Sequence, residues 1–220
     1  SAGTRLDWTN LGLVASSNHA EVPVRRRPRV AILATGDELV PPGTTPGPDQ
    51  IVCSNGFGIA ALVADAGGEA IDLGIVGDDL AATRAAIAGA FAAEIDVLVT
   101  LGGASMGDHD LVHRALEAEG VAFDFWKLAM RPGKPLMFGR RGPIRVLGLP
   151  GNPAASLVCG LRFVAPLVAA LAGRGDTGVV RETAVAGRAM PANDERADHL
   201  RAALRHDGEG RLVAMPLDSQ

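Results

Sequence analysis

Four short apolar runs, VAILAT, AIDLGIV, DVLVTLG and RVLGLP, recur along the chain, with longer stretches of helical character between them. A strand with one wet face alternates apolar and polar residues, whereas a strand covered on both faces reads as a continuous apolar run. The alternation of such runs with helices is the βαβ pattern, so the fold class expected is α/β with a largely parallel sheet buried on both faces. Composition fits: the chain is 47% hydrophobic but only 4% aromatic, rich in the Ala, Val and Leu of helices packed on a sheet.

The helices show in the same way. In DDLAATRAAIAGAFAAE, Asp78 or Asp79 can cap the first turn, and Leu80, Ile87 and Phe91 fall on roughly one face. SNGFGIAALVADAGG is capped by Ser54 or Asn55 and stopped by Gly67 and Gly68. A third helix is expected from near Asp108 to Gly120, and a fourth from Asn152-Pro153, with proline in the first turn. The most apolar tract, PAASLVCGLRFVAPLVAALAG, is interrupted by Arg162 and Pro166 and is expected to be a core helix rather than a membrane span.

The flanks differ in texture. Residues 1–28 end in a basic, proline-flanked stretch, EVPVRRRPR, expected to be a tail or an inter-domain connector. Residues 29–174 hold the α/β pattern. Beyond Gly173, the short runs ETAVAGRAM, DHLRAALRH and RLVAMPL, separated by turn residues, predict antiparallel strands in residues 175–220, a small and incomplete β domain.

A formal charge of -4 gives no general attraction to nucleic acid or to an anionic membrane. Any anionic ligand must therefore meet a local basic cluster, and small molecules are the expected partners. Cys53 and Cys159 form neither a C-x-x-C pair nor a disulfide framework, and no signal peptide opens the sequence, so a cytoplasmic setting is expected.

If the runs are parallel strands, the loops TGDELVPPG, GIVGDD, GGASMGDHD and GLPGNP emerge together at the carboxyl edge of the sheet, where open α/β folds bind ligands. Three carry acids: Asp37 with Glu38, Asp78 with Asp79, and Asp108 with Asp110. Each acid can cap a helix or bind a ligand; gathered together, they suit a hydrated Mg²⁺ that also meets ligand phosphates. Gly102 and Gly103, before a helix start, can offer N–H groups to an anion. In FWKLAMRPGKP, Lys127, Arg131 and Lys134 surround a Pro132-Gly133 turn and can hold a phosphate or oxyanion.

Gly103 to Gly107 also matches the G-x-S-x-G elbow of serine hydrolases. No HGGG-type segment precedes Ser105, and the histidines that follow, His199 and His206, lie in the β tail, so Ser105 is read as a phosphate-contacting or structural hydroxyl. Neither G-x-G-x-x-G after a strand nor G-x-x-x-x-G-K-[ST] is present.

Taken in order, TGDELVPPG, SNGFGIAALVADAGGEAIDLGIVGDD, TLGGASMGDHDLV, FWKLAMRPGKPLMFG and GLPGNPAASLV resemble the molybdopterin molybdenumtransferases, whose eukaryotic relatives include the E domain of gephyrin. The resemblance implies that residues 1–28 are the end of a preceding domain and its linker, followed by a three-layer molybdopterin-binding domain and the start of a C-terminal β-barrel. It implies an Mg²⁺-assisted enzyme that takes adenylylated molybdopterin and molybdate, leaves molybdenum on the cofactor dithiolene and releases AMP. It further implies a homodimer in the full-length protein and a molybdopterin adenylyltransferase upstream.

By the same resemblance, Glu38, Asp110, Lys127 and Arg131 are expected to be catalytic, and Asp79 and Asp110 to bind metal. Thr35, Gly36, Asp37, Ser54, Asn55, Gly102, Gly103, Ser105, Lys134, Pro150, Gly151, Asn152 and Arg201 are expected to contact the cofactor substrate. Arg131 stands where some members carry lysine, which keeps the charge but changes the donor geometry. The competing functions are the preceding adenylyl transfer and a non-catalytic molybdopterin-binding or scaffold role.

Overall fold

A computed structural model describes residues 2–103, 110–177 and 181–217. Helix α1, Trp8–Ser16, opens it with a reciprocal cap: Asp7 accepts from the Asn10 N–H, and the Asn10 side chain accepts from the Asp7 N–H. It buries no residue. Next come β1 (Arg29–Thr35), the two-residue strands β2 (Leu39–Val40) and β3 (Ile51–Val52), α2 (Asn55–Asp65), β4 (Glu69–Val76), α3 (Leu80–Ala92) and β5 (Val97–Leu101). Then follow α4 (Leu111–Ala118), β6 (Ala122–Trp126), β7 (Met130–Arg131), β8 (Met137–Arg141) and β9 (Ile144–Leu149). A long helix α5, Pro153–Leu171, contains a π turn at Gly160–Val164. The tail carries β10 (Val185–Ala186), β11 (Ala197–Asp198), β12 (Ala202–His206) and β13 (Leu212–Pro216).

The main sheet has the order β4-β1-β5-β9-β8-β6. β4, β1, β5 and β9 run parallel, β8 runs against β9, and β6 against β8, so β6 ends at the same edge as the parallel strands. Successive strand side chains alternate faces, and each face has its own core. Val30, Ile32, Val99 and Leu149 pack with Ile59 and Val63 of α2 and Cys159, Val164 and Val168 of α5. Ala31, Leu33, Leu98 and Val146 pack with Ile87 and Phe91 of α3 and Val112 and Leu116 of α4. The three-layer α/β class holds.

Several expectations need correction. AIDLGIV is covered less deeply than expected: among the described residues β4 is an edge strand paired only with β1, and Ala70 and Ile75 on one face and Ile71, Leu73 and Val76 on the other are partly buried rather than buried. The stretch FWKLAMRPGKP is more than a turn; it carries the end of β6, all of β7 and the turn leading to β8. The tail is only partly antiparallel. β12 and β13 form a hairpin closed by Asp207–Gly210, but β10 runs parallel to β13, which the long connection between β10 and β12 allows. The apolar tract is a core helix, yet by length and composition α5 could cross a membrane; the feature that ties it to the core is the burial of Ser156, Cys159, Val164 and Val168 against the sheet.

Candidate functional site

The carboxyl ends of β1, β4, β5, β6 and β9 share one edge of the sheet; α3 and α5 each start there with three residues between strand and helix, and α4 is the helix that follows β5. Capping residues occupy the turns. Asp79, not Asp78, caps α3 by accepting from the Ala82 N–H at 2.7 Å. Asp110 caps α4 by accepting from His113 N–H at 2.9 Å, and Asn152 caps α5 by accepting from Ala155 N–H at 3.1 Å. At α2 the cap position is Ser54, which makes no side-chain capping bond. The first amides of α2 therefore keep their donors open, and the N-terminus of a helix favours an anion.

Between the starts of α2 and α5 lies a cleft of about 50 Å³, lined by Thr35, Glu38, Ser54, Asn55, Gly102, Gly151 and Pro153 among others. Backbones approach closely here. A Cβ on Gly102, at φ +91°, would sit 2.6 Å from the Thr35 carbonyl oxygen, and one on Gly103, at φ +64°, would sit 2.1 Å from a Val112 methyl. Asn55 Nδ2 donates to the Gly151 carbonyl at 2.7 Å and so ties α2 to the β9–α5 turn. Gly36 donates its N–H to the Val76 carbonyl, and the Glu38 carboxylate folds back over Gly36. Asp37 sits beside the cleft, where its Oδ1 accepts from the Asp78 N–H at 2.9 Å. Pro150 is buried in the turn before Gly151.

Asp110 is the most unusual group of the set. It is 2% exposed, and its second oxygen, Oδ2, is buried with no hydrogen-bond partner among the described residues. Burial pushes the carboxyl above the ordinary carboxylate range, against the opposing pull of the His113 N–H. A carboxylate oxygen with open lone pairs at this edge of the sheet is suited to a cation or to a donor on a ligand.

The basic residues lie on the turn between β6 and β8. Lys127 is exposed at φ +91°, in the left-handed region that costs a side-chain-bearing residue energy, while its N–H donates to the Leu136 carbonyl. Its Nζ lies 4.7 Å from the centre of the Trp126 ring. Arg131 is already engaged: Nε and Nη2 donate to Asp198 Oδ1 and Oδ2 at 2.9 and 2.8 Å. That pair sits where β11 adds to β7, Asp198 opposite Arg131, and it raises the guanidinium above its ordinary value. Lys134 is exposed on the same turn, and its carbonyl accepts from the Leu128 N–H. Arg201, also exposed, follows β11 and its carbonyl accepts from the Leu217 N–H.

The structure thus brings Thr35, Glu38, Ser54, Asn55, Gly102 and Gly151 into one cleft. Asp79, Asp110, Lys127, Arg131, Lys134 and Arg201 do not line it, and Asp79 and Asp110 cap different helices. Ser105 and Asp108 lie outside the described residues. Among the described residues no group of three His, Cys, Asp or Glu side chains is close enough to form a metal centre. Sequence reasoning missed Asp198, which no motif marked, and His113 and Trp126, whose contacts depend on a bulge in β6.

Comparison with known proteins agrees with this architecture. Residues 31–170 match the family described as "Probable molybdopterin binding domain". A molybdopterin molybdenumtransferase from a Nostoc species is 44% identical over 176 residues, covering 78% of this chain and 40% of that protein. The one from Haemophilus influenzae is 39% identical over 172 residues, covering 78% and 42%. The crystal structure of a molybdopterin biosynthesis MoeA protein from Pyrococcus horikoshii superposes with a TM-score of 0.84 at 30% identity, covering all of this chain and 52% of that one. The chain spans about half or less of the length of these proteins. With the match covering most of its residues, the chain belongs to the family of molybdopterin-binding domains, alongside proteins named molybdopterin molybdenumtransferase.

Proposed function

We propose that this chain is the substrate-binding α/β portion of a molybdopterin molybdenumtransferase, which transfers molybdenum from molybdate to adenylylated molybdopterin and releases AMP. The observation that carries the proposal is the cleft between the starts of α2 and α5, walled by Thr35, Glu38 and Ser54 and floored by the close-packed backbone at Gly102 and Gly151. Open helix amides and glycine backbone accept phosphate oxygens without a side chain in the way.

The residues divide the work. The α2 amides and Ser54 bind the phosphates, Lys127 and Lys134 bring positive charge from the β6–β8 turn, and Glu38 at the cleft can hold or accept a proton from a ligand hydroxyl or amine. Preset charges of this kind stabilise developing oxyanions without reorganising during the reaction. The unpartnered Asp110 Oδ2 fits one ligand position of a hydrated Mg²⁺, which takes one or two carboxylates and completes its shell with water and phosphate oxygens. Such an ion would neutralise charge on the phosphoanhydride. Asp79 is engaged as a helix cap and offers only its second oxygen. Arg131 can meet an oxyanion only by sharing or leaving Asp198.

Homodimerisation of the full-length protein, supply of its substrate by an adenylyltransferase, a cytoplasmic setting and the three-part division at residues 28 and 174 belong to the same proposal. Titration calorimetry with adenylylated molybdopterin, with and without Mg²⁺ and molybdate, tests it. Saturable binding that strengthens with Mg²⁺ and is lost on Gly102→Ala supports the cleft as the site. No binding by the folded chain overturns it.

A further inference from the structure

Along a regular strand Phe123 and Phe125 would share a face and Trp126 would lie on the other. β6 breaks that rule. Its register against β8 shifts between Phe123 and Phe125, so Phe123 and Trp126 both join the core on the α3–α4 side, while Phe125 joins the opposite core. His113, in the first turn of α4, stacks on both re-aimed rings. Its centroid lies 4.4 Å from Phe123 at 15° and 4.1 Å from Trp126 at 21°. The imidazole is 14% exposed, with Nδ1 3.5 Å from Glu117 Oε2. On the other side of the chain of contacts, Lys127 Nζ rests 4.7 Å from the Trp126 ring centre.

We propose that His113 is a positioning residue for the site. Its ring fixes the Trp126 surface that the Lys127 ammonium rests on, from the same turn of α4 whose backbone N–H donates to Asp110, so the imidazole sets where this ammonium is held. The inference rests on Asp110 and Lys127 being ligand-binding groups.

Two features argue for positioning beyond packing. Lysine on an exposed turn ordinarily samples many rotamers, and a cation–π contact restricts them. In addition, Lys127 holds a positive φ, a conformation kept only where the surroundings impose it and one that clusters at functional sites. The ring stack and the strained backbone both constrain where this one ammonium can go. A misplacement of a binding group by about 1 Å can cost up to roughly a hundredfold in rate.

The sequence supplies its own reference for a test, because the chain holds two lysines, Lys127 and Lys134, and two tryptophans, Trp8 and Trp126. In a Trp8→Phe background the indole signal comes from Trp126 alone. His113→Ala and His113→Phe are compared for acrylamide quenching of Trp126, for acetylation of Lys127 relative to Lys134 by mass spectrometry, and for affinity for adenylylated molybdopterin. His113→Ala is expected to expose Trp126 to acrylamide and to raise the Lys127-to-Lys134 labelling ratio roughly three- to fivefold, the worth of an exposed cation–π contact. Affinity is expected to fall by at least that factor. His113→Phe, which keeps a stacking ring, is expected to restore all three. If His113→Ala does not fold, Trp126→Leu, which keeps an apolar filler but removes the π face, must raise the labelling ratio. An unchanged ratio in a folded variant overturns the proposal, and so does a raised ratio at unchanged affinity. Failure of the parent chain to bind adenylylated molybdopterin instead overturns the proposed function, because quenching and labelling are read without ligand.

Discussion

The two oxygens of Asp110 have unlike surroundings: Oδ1 caps α4, and Oδ2 is buried without a partner among the described residues. The folded-state pKa lies above the unfolded value of 3.8 because burial disfavours the charge. The folded state therefore binds the proton more tightly, and the contribution of Asp110 favours folding in acid and is lost as pH rises from 3.8 through the raised folded value. Once ionised, the buried group weighs against folding. Asp110→Asn, which keeps a capping oxygen, is expected to unfold at a temperature equal to or above that of the parent at pH 7, with a difference that shrinks toward pH 4 in calorimetric scans. In a full-length protein the same change is expected to lower molybdate-dependent AMP release by about 10²-fold or more, the scale of losing one preset charge contact. A stabilised and inactive variant is the signature of a functional carboxylate; an unstable one would mark a structural cap. Cys159 is the contrasting case, since burial pushes its thiol up to about 12 and no group at the site uses it. It is expected to stay unmodified by iodoacetamide at pH 8 in the native chain and to react once the chain is unfolded in urea.

Among the elements, the long ones were legible and the short ones were not. VAILAT, DVLVTLG and RVLGLP became β1, β5 and β9 because a fully covered strand has no choice but continuous apolar residues. α3 and α5 followed from their cap residues and α2 from its stop glycines, since its expected cap makes no bond, although the choice between Asp78 and Asp79 required the geometry of the first turn. By contrast, β2, β3, β7 and β11 have two residues each, too few for any periodicity, and the β6 bulge leaves no mark in FDFW. The cleft itself was legible through its glycines, because only a side-chain-free residue allows Gly102 to approach Thr35 so closely at φ +91°. The Arg131–Asp198 pair was not, because it joins residues 67 positions apart through a strand pair that no pattern announces. The pair is half-exposed, so Asp198→Ala is expected to change stability by less than about 1 kcal/mol in urea titrations. Gly102→Ala is expected to cost more, about 1–3 kcal/mol, since it combines a disfavoured φ with a contact to a backbone oxygen that cannot step aside.

At the scale of the whole molecule, burial is unevenly distributed. β1, β5 and β9 occupy the middle of the sheet with a helix layer on either face, and nearly all their residues are buried. Residues 7–27 contribute no buried side chain, β10 and β12 are wholly exposed, and β13 buries only Val213. The candidate site lies where the two regimes meet: its cleft grows from the ends of the buried strands, while Arg131 is braced by β11 from the sparsely packed tail. Local opening requires the least free energy where few apolar contacts must be broken. Native-state hydrogen exchange is therefore expected to fall into two classes. Amides of Ala31–Leu33, Val97–Leu101 and Val146–Leu149 should exchange only through global unfolding, with denaturant dependence to match. Those of α1, β10 and β12 should exchange orders of magnitude faster and with little dependence on denaturant. Equal protection in β12 and β1 would mean that the tail folds as one cooperative unit with the α/β core, and would make β11 a rigid part of the site rather than an attached brace.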